Sequence, residues 1–196
     1  RDCLLLLTEA HAKPPIKLMV IEAAAGAGKS TLLLQLYKHL ASQNKAQAWL
    51  SLGVHDLDPV SLLNGIASAL QSQLPQVGNA CLALLRAGAG IPPRTVLTTL
   101  FNEILAYGHS ITLFLDDLHL CASPQNMALL QSILEDSPTN LRLVMAGRTL
   151  PGIALNKMAA RGQLFRLSTR DIRVSNQDAN ALLRDCYGLT INDEDM

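Results

Sequence analysis

The segment from Ile21 to Leu34 (IEAAAGAGKSTLLL) constrains the fold more than any other part of the chain. An apolar run at 18–21 stops at a turn of small residues that contains Gly26 and Gly28, and a leucine-rich helical pattern starts behind it. Small residues let backbone N–H groups wrap around an anion, and the N-terminus of the following helix adds about half a positive charge. A strand, a loop and a helix in this order are typical of a phosphate-binding loop.

The loop follows the pattern G-x-x-x-x-G-K-[ST] with one departure, because Ala23 stands where the pattern has its first glycine. In this pattern the lysine reaches the β- and γ-phosphates of a nucleotide, and the hydroxyl completes the coordination of Mg²⁺. We therefore expect Lys29 to bind phosphate and Ser30 to bind the metal. A plain glycine-containing turn between a strand and a helix is the alternative that the missing glycine leaves open.

Strand and helix patterns alternate along the rest of the chain. Apolar runs predict strands at 16–22, 47–52, 111–115, 141–146 and 164–167. Helical spacing and capping residues predict helices over 4–12, 32–40, 59–70, 81–85, 96–105, 124–135 and 175–187. Such alternation predicts an α/β fold with three layers, in which helices cover both faces of a five-stranded, mainly parallel sheet.

Composition narrows the class of protein. The 196 residues are enough for one large domain, or for one domain and part of another, and 49% of them are hydrophobic. Sixteen basic and sixteen acidic residues leave no net charge, which argues against bulk attraction to nucleic acid or to a membrane surface. The four cysteines are widely spaced, and no signal peptide or membrane-spanning run is recognisable, so we expect a cytoplasmic protein. The missing initiator Met and the charged ending INDEDM suggest a piece of a longer protein.

Two acids follow the predicted strand at 111–115 directly. Asp116 and Asp117 lie at the carboxyl end of that strand, which is the edge where open α/β sheets bind ligands and where the phosphate loop also lies. Beside such a loop, Asp116 is expected to hold Mg²⁺, largely through water, and Asp117 to polarise the attacking water. A solvated acidic turn is the alternative for this pair.

Arg148 follows the strand at 141–146 and is expected at the same edge of the sheet. A guanidinium in this place is suited to meet the γ-phosphate and to report whether it is present. The alternative is a surface arginine in a strand-to-loop turn. His119, two residues beyond the acid pair, is interpreted as a packed or solvated histidine in preference to a group that contacts water near the site.

Four segments together resemble the ATP-binding module of large ATP-dependent LuxR-type transcription activators, the MalT-like group of STAND ATPases. They are VIEAAAGAGKSTLLLQL, AWLSLGVHDLDPVSLL, LFLDDLHL and the long stretch LRLVMAGRTLPGIALNKMAARGQLFRLSTRDIRVS. The likeness covers nearly the whole chain in the family's order. Members of this family tolerate a residue other than glycine at the start of the phosphate loop, which would account for Ala23.

The resemblance implies an ATP-dependent switch that hydrolyses ATP slowly, self-associates when ATP is bound, and binds DNA through a C-terminal helix-turn-helix that this chain lacks. It implies that the acid pair and Arg148 are the family's Walker B acids and sensor, with the Arg148 strand between the strands of the phosphate loop and the acid pair. Residues 1–174 would form the nucleotide-binding domain, and 175–196 the start of a helical lid. Phosphates of ATP or ADP would be bound by Ala25, Gly26, Ala27, Gly28, Lys29, Ser30 and Thr31.

Two other functions stay open on the sequence alone. An AAA-type ATPase or another P-loop enzyme with rapid turnover would use the same loop, and a degenerate loop would only support protein contacts. The chain retains Lys29, Ser30, both acids and Arg148, and this argues against a degenerate loop.

Overall fold

Every strand of the protein belongs to one sheet in the part of the chain that the structure describes. The structure is a computed structural model, and it describes residues 3–55, 57–88, 90–150 and 153–172. The strands are β1 (Leu18–Glu22), β2 (Ala46–Ser51), β3 (Ile111–Asp116), β4 (Leu141–Gly147) and β5 (Leu164–Ser168). The helices are α1 (Cys3–Ala12), α2 (Lys29–Ser42), α3 (Pro59–Gln73), α4 (Asn79–Arg86), α5 (Pro93–Tyr107), α6 (Pro124–Asp136), α7 (Asn156–Ala160) and α8 (Thr169–Ile172).

The sheet is parallel and has the strand order β2-β3-β4-β1-β5. β4 therefore lies between β1, which leads into the phosphate loop, and β3, which leads into the acid pair. In register, Glu22 at the end of β1 lies beside Gly147 at the end of β4, and Ser51 at the end of β2 lies beside Asp116. The predicted α/β class, the five-stranded sheet and the central place of the Arg148 strand are confirmed.

Two apolar layers, one on each face of the sheet, produce the three-layer architecture. Successive side chains of a strand point to opposite faces, and on β1 Leu18 and Val20 enter one layer while Met19 and Ile21 enter the other. The first layer is completed by α3, α4, α5 and α6, and the second by α1, α2 and α8. A strand that is buried on both faces has no polar alternation, which is why its sequence is a continuous apolar run.

Local signals fix several helix ends. Asp58 caps α3 by accepting hydrogen bonds from the backbone N–H groups of Val60 at 2.9 Å and Ser61 at 3.0 Å, and Pro59 occupies the first turn. The hydrogen bond from the Ser61 hydroxyl, together with these two, holds the pKa of Asp58 below its usual value. Gly108 ends α5 with a left-handed φ of 76°, a conformation in which glycine is favoured at helix C-termini.

The structure differs from the sequence-based expectation in a few elements. β1 begins at Leu18 and not at 16, and α4 covers Asn79–Arg86 and not only 81–85. A 3₁₀ turn at Leu118–Cys121, α7 and α8 were not predicted, since each is shorter than the span over which helical spacing becomes visible. The predicted helix at 175–187 and the domain boundary at 174 lie outside the described residues.

His11 is a buried titratable side chain between α1 and the sheet. Its Nε2 lies 2.9 Å from Oγ1 of Thr112 on β3, and the residue is 9% exposed. Burial lowers the pKa of His11 to about 4, and the positive charge of Arg142 and the neighbouring Lys45 and His39 act in the same direction. The folded protein therefore holds this imidazole neutral.

We expect stability to fall as the pH drops below about 6.5, the pKa of this imidazole in the unfolded chain. Between that value and the folded pKa the unfolded state binds the additional proton, so up to roughly 3 kcal/mol of unfolding free energy is lost. Urea unfolding at pH 7.5 and 4.5 measures the loss, which should be clearly smaller in the His11→Gln variant. The exposed His109→Gln variant is the control, and equal losses in all three proteins would contradict the prediction.

Candidate nucleotide-binding site

The phosphate loop joins β1 to α2 through two glycines in the left-handed region. Gly26 has a φ of 76° and Gly28 has a φ of 83°, backbone angles that residues with a Cβ atom rarely adopt. Gly28 is the N-cap of α2. Because glycine has no side chain, the N-cap residue forms no side-chain hydrogen bond with the first turn of the helix. The unpaired N–H groups of that turn therefore face the loop, where an anion would accept from them.

Ala23 fits the first position of the loop without strain. Ala23 is 2% exposed and packs in the apolar layer with α2, and its N–H donates to the carbonyl of Gly147 at 3.2 Å. Among the described residues, the side-chain-bearing positions with positive φ are Asn44 and Asp117, so Ala23 has an ordinary backbone conformation. The missing glycine is thus no obstacle to the loop, because a Cβ at this position is accommodated and buried.

Lys29 is drawn inward at the base of the loop. Its side chain is 7% exposed, and Nζ donates hydrogen bonds of 2.8 Å to the carbonyl of Ala23 and 2.8 Å to that of Ala24. These carbonyls satisfy two of the three donors of the ammonium group. Phosphate oxygens that enter the loop would either take the remaining donor or replace the carbonyls.

The two acids at the end of β3 have different environments. Asp116 is 3% exposed, and its Oδ1 accepts from the N–H of Asp117 at 2.9 Å. No lysine or arginine in the described part of the chain forms an ion pair with it. Since a buried carboxylate is costly without a compensating cation, the donor chemistry of Asp116 fits a hard cation such as Mg²⁺.

Asp117 faces outward from the same strand end. Its side chain is 43% exposed, and its backbone is left-handed, with a φ of 56° and a ψ of 34°. Aspartate and asparagine tolerate this region better than most residues, but it is uncommon for any side-chain-bearing residue. The turn directs the second acid toward the phosphate loop instead of continuing the strand.

A cavity of about 340 Å³ brings the predicted residues together. Arg148 is exposed and reaches this cavity from the end of β4, which the sheet order places between the loop and the acids. The lining residues are Ala25, Gly26, Gly28, Lys29, Ser30, Thr31, Asp117 and Arg148. Of the ten residues predicted for the site, Ala27 and Asp116 do not line it.

The arrangement can bind a polyphosphate and has the groups that its hydrolysis needs. Lys29 and Arg148 supply positive charge, Ser30 and Thr31 lie at exposed positions and carry hydroxyls, and Asp117 supplies a carboxylate. Cations preorganised around a transferring phosphoryl group stabilise charge in the transition state. Ser30 and Asp116 offer the oxygen ligands that magnesium prefers, and magnesium keeps several of its waters in such sites.

His119, for which the sequence favoured a packed or solvated role, is a neighbour of the site. It lies in the 3₁₀ turn after the acids, and its Nδ1 is 3.9 Å from Oδ1 of Asp117. A 3₁₀ turn of four residues leaves no periodic signal, and only its closeness to the acid pair in sequence suggested a role.

No helix among the described residues is long and apolar enough to cross a membrane. The described structure therefore contains no candidate for a membrane-spanning helix.

Curated relatives match the chain over most of its length. The HTH-type transcriptional regulator MalT of Cronobacter sakazakii is 26% identical over 186 residues, which cover 92% of this chain and 20% of the regulator. The serine/threonine-protein kinase PknK of Mycobacterium tuberculosis is 26% identical over 175 residues, or 89% of this chain and 16% of the kinase. The chain thus spans about a fifth or less of these relatives. The similarity to MalT-like regulators that the motifs indicated is confirmed.

Solved structures of distant proteins share the fold. The ORC1 protein of Aeropyrum pernix, solved in complex with DNA, superposes with a TM-score of 0.59 at 15% identity, over 93% of this chain and 46% of that one. Cdc6p from Pyrobaculum aerophilum gives a TM-score of 0.55 at 16% identity, over 83% and 42% of the two chains. Together with the strand order and the loop, these likenesses identify the fold as that of a P-loop NTPase.

One family model covers most of the chain. It is described as Nephrocystin 3, N-terminal, and it matches residues 7–148, from α1 through every strand that contributes to the cavity to Arg148. The phosphate loop, the acid pair and the arginine after β4 all fall within this match. The chain therefore belongs to the nephrocystin 3 N-terminal family of P-loop domains.

Proposed function

We propose that the chain is the ATP-binding and slowly hydrolysing switch module of a signal-responsive transcriptional regulator of the MalT-like LuxR type. The observation that carries this proposal is the single cavity shared by the phosphate loop, Asp117 and Arg148. Similarity to a regulator over most of the chain supports the regulatory context. A loop that only supported protein contacts would have no reason to retain the lysine, the acid and the arginine around one cavity.

The residues have separate roles in this proposal. Backbone groups of 25–31 bind the phosphates, Lys29 binds the β- and γ-phosphates, and Asp117 orients and polarises the attacking water. Ser30 and, largely through water, Asp116 would hold Mg²⁺, which when bound would neutralise charge on the phosphates. Arg148 contacts the γ-phosphate, so its environment differs between the ATP and ADP states.

The proposal also covers the rest of the chain and its context. Residues 1–174 form the nucleotide-binding domain, and 175–196 begin a helical lid. In the complete regulator, ATP binding favours self-association, and DNA is bound by a helix-turn-helix outside this chain. Measurement of self-association with ATP and with ADP, in a protein that contains all of these parts, tests this context.

The competing function is an ATPase with rapid turnover, such as one of the AAA type. A rapid enzyme that behaved like a kinase would turn over about 1 to 100 times per second, whereas a switch needs only slow hydrolysis. A single-turnover assay with magnesium and ATP distinguishes the two. Turnover within the fast range would reject the switch in favour of the competing function.

Removal of Arg148 should weaken ATP binding selectively. A charge-assisted hydrogen bond to the γ-phosphate is worth about 1.5 to 3 kcal/mol, so Arg148→Ala should lower ATP affinity roughly 10- to 100-fold and leave ADP affinity unchanged. Titration calorimetry with both nucleotides measures the ratio, and the exposed Arg86→Ala on α4 is the control. A wild-type ratio of ATP to ADP affinity in Arg148→Ala would exclude the arginine as a γ-phosphate sensor.

A further inference from the structure

The imidazole of His119 is enclosed but incompletely bonded. Its side chain is 15% exposed, and its Nδ1 is inaccessible and has no hydrogen-bond partner among the described residues. Oδ1 of Asp117 lies 3.9 Å from this nitrogen, which is too far for a hydrogen bond. Enclosed polar atoms are almost always bonded in folded proteins, so an exception next to a ligand cavity needs an explanation.

Asp117 provides a second irregularity at the same place. It is one of two residues with a side chain and positive φ in the described part of the chain. Backbone strain and unbonded polar atoms both cluster at sites that rearrange when a ligand binds. Here the strained residue carries the carboxylate that lines the cavity, and the unbonded nitrogen faces that carboxylate.

The backbone of His119 is held in place from the side of β4. A Cβ atom built on Gly147 would lie 3.4 Å from the backbone nitrogen of His119. The backbone of the 3₁₀ turn therefore lies close to the end of β4. Leu118 and Cys121, the first and last residues of the 3₁₀ turn that contains the histidine, are fully buried. The side chain of Asp117, by contrast, is 43% exposed and has room to rotate. We therefore expect the side chain of Asp117, and not that of His119, to move when the 3.9 Å distance between Oδ1 and Nδ1 shortens.

We propose that His119 is the positioning residue for Asp117. When nucleotide occupies the cavity, Nδ1–H of His119 donates to the Asp117 carboxylate and fixes the orientation in which the carboxylate meets the attacking water. An N–H of the imidazole ring supplies this donor without any net transfer of a proton. The inference rests on the proposed hydrolytic role of Asp117, and it accounts for a nitrogen that simple packing leaves without a partner.

Two substitutions of similar size separate positioning from packing. Asparagine keeps an N–H donor near the place of Nδ1, whereas leucine fills the space without a donor. We expect His119→Leu to lower kcat for ATP at least tenfold with KM within twofold of wild type, and His119→Asn to stay within threefold in both. The exposed His109→Leu is the control. Equal loss of kcat in His119→Leu and His119→Asn would overturn the proposal.

A double substitution tests whether the histidine acts through the aspartate. In the Asp117→Asn background, His119→Leu should lower kcat by less than twofold, because residues that act as one unit are not additive. A full tenfold further loss would show that His119 acts independently of Asp117 and would overturn the proposal.

A binding experiment keeps the test separate from hydrolysis. Imidazole ¹H–¹⁵N spectra of the wild-type protein are recorded with and without magnesium and a non-hydrolysable ATP analogue. We expect a protected Nδ1–H resonance of His119, shifted downfield on binding, that the Asp117→Ala variant lacks. Saturation with the analogue without this resonance would overturn the positioning role and leave nucleotide binding intact. Failure of the analogue to bind at all would reject the proposed function, and the positioning role with it.

Discussion

Lys29→Ala abolishes the rise in melting temperature that Mg-ATP or ADP produces, if the loop binds phosphate as proposed. Ligand at roughly a thousandfold above its Kd adds about 4 kcal/mol to the unfolding free energy, a shift of several degrees for a domain of this size. Among the described residues, the ammonium group of Lys29 is the one lysine charge that lines the cavity, and alanine leaves the β- and γ-phosphates without it.

Differential scanning fluorimetry with and without nucleotide measures this loss. Lys29→Ala also removes the bonds to the carbonyls of Ala23 and Ala24, so the unliganded variant should melt slightly earlier, by an amount worth about 1 kcal/mol. The exposed Lys38→Ala on α2 removes the same charge from the same helix and should retain the full nucleotide shift. A full shift in Lys29→Ala would remove the lysine from phosphate binding.

The second large effect is expected on hydrolysis. Asp117→Asn should slow single-turnover hydrolysis of Mg-ATP by roughly 10²- to 10⁴-fold, the usual contribution of a positioned general base. Asparagine tolerates the left-handed backbone at this position as well as aspartate does, so the 3₁₀ turn should persist. ATP affinity should remain within about threefold, because the carboxylate serves the water and not the phosphates.

Rapid-quench measurement of ADP formation, paired with calorimetric ATP binding, tests this division of roles. Asp136→Asn is the matched control, since its half-exposed carboxylate lies at the far end of α6. Hydrolysis at the same rate in Asp117→Asn and wild type would exclude Asp117 as the group that activates water. A parallel loss of binding would instead indicate that Asp117 helps to hold the nucleotide.

The sequence predicted elements whose signals are local. β3 and β4 are apolar runs and were predicted to within one residue. The spacing of apolar residues also identified α3 and α5, whose predicted ends differ from the observed ones by up to three residues. α7 and α8, of five and four residues, fall below the length at which periodicity identifies a helix. The central place of the Arg148 strand followed from the family resemblance, because hydrophobic spacing shows which segments are strands but not which strands are neighbours.

For the candidate site, residue types were predictable and contacts were not. The lysine, the acid pair and Arg148 stand at strand ends, so general rules for open α/β sheets brought them to one edge. The burial of the Ala23 methyl group and the unbonded Nδ1 of His119 depend on segments more than twenty residues apart in sequence that meet beside β4. Such contacts follow from packing, which no local pattern records.

The inward position of Lys29 affects which anions the loop selects. Because two backbone carbonyls already accept from its ammonium group, they act as built-in competitors for any anion that enters. A monovalent ion such as chloride gains little by displacing them, whereas a chain of phosphates reaches the lysine and the helix N-terminus at once. The loop is therefore expected to discriminate against the abundant small anions of its surroundings, and to restore its own bonding when the phosphates leave.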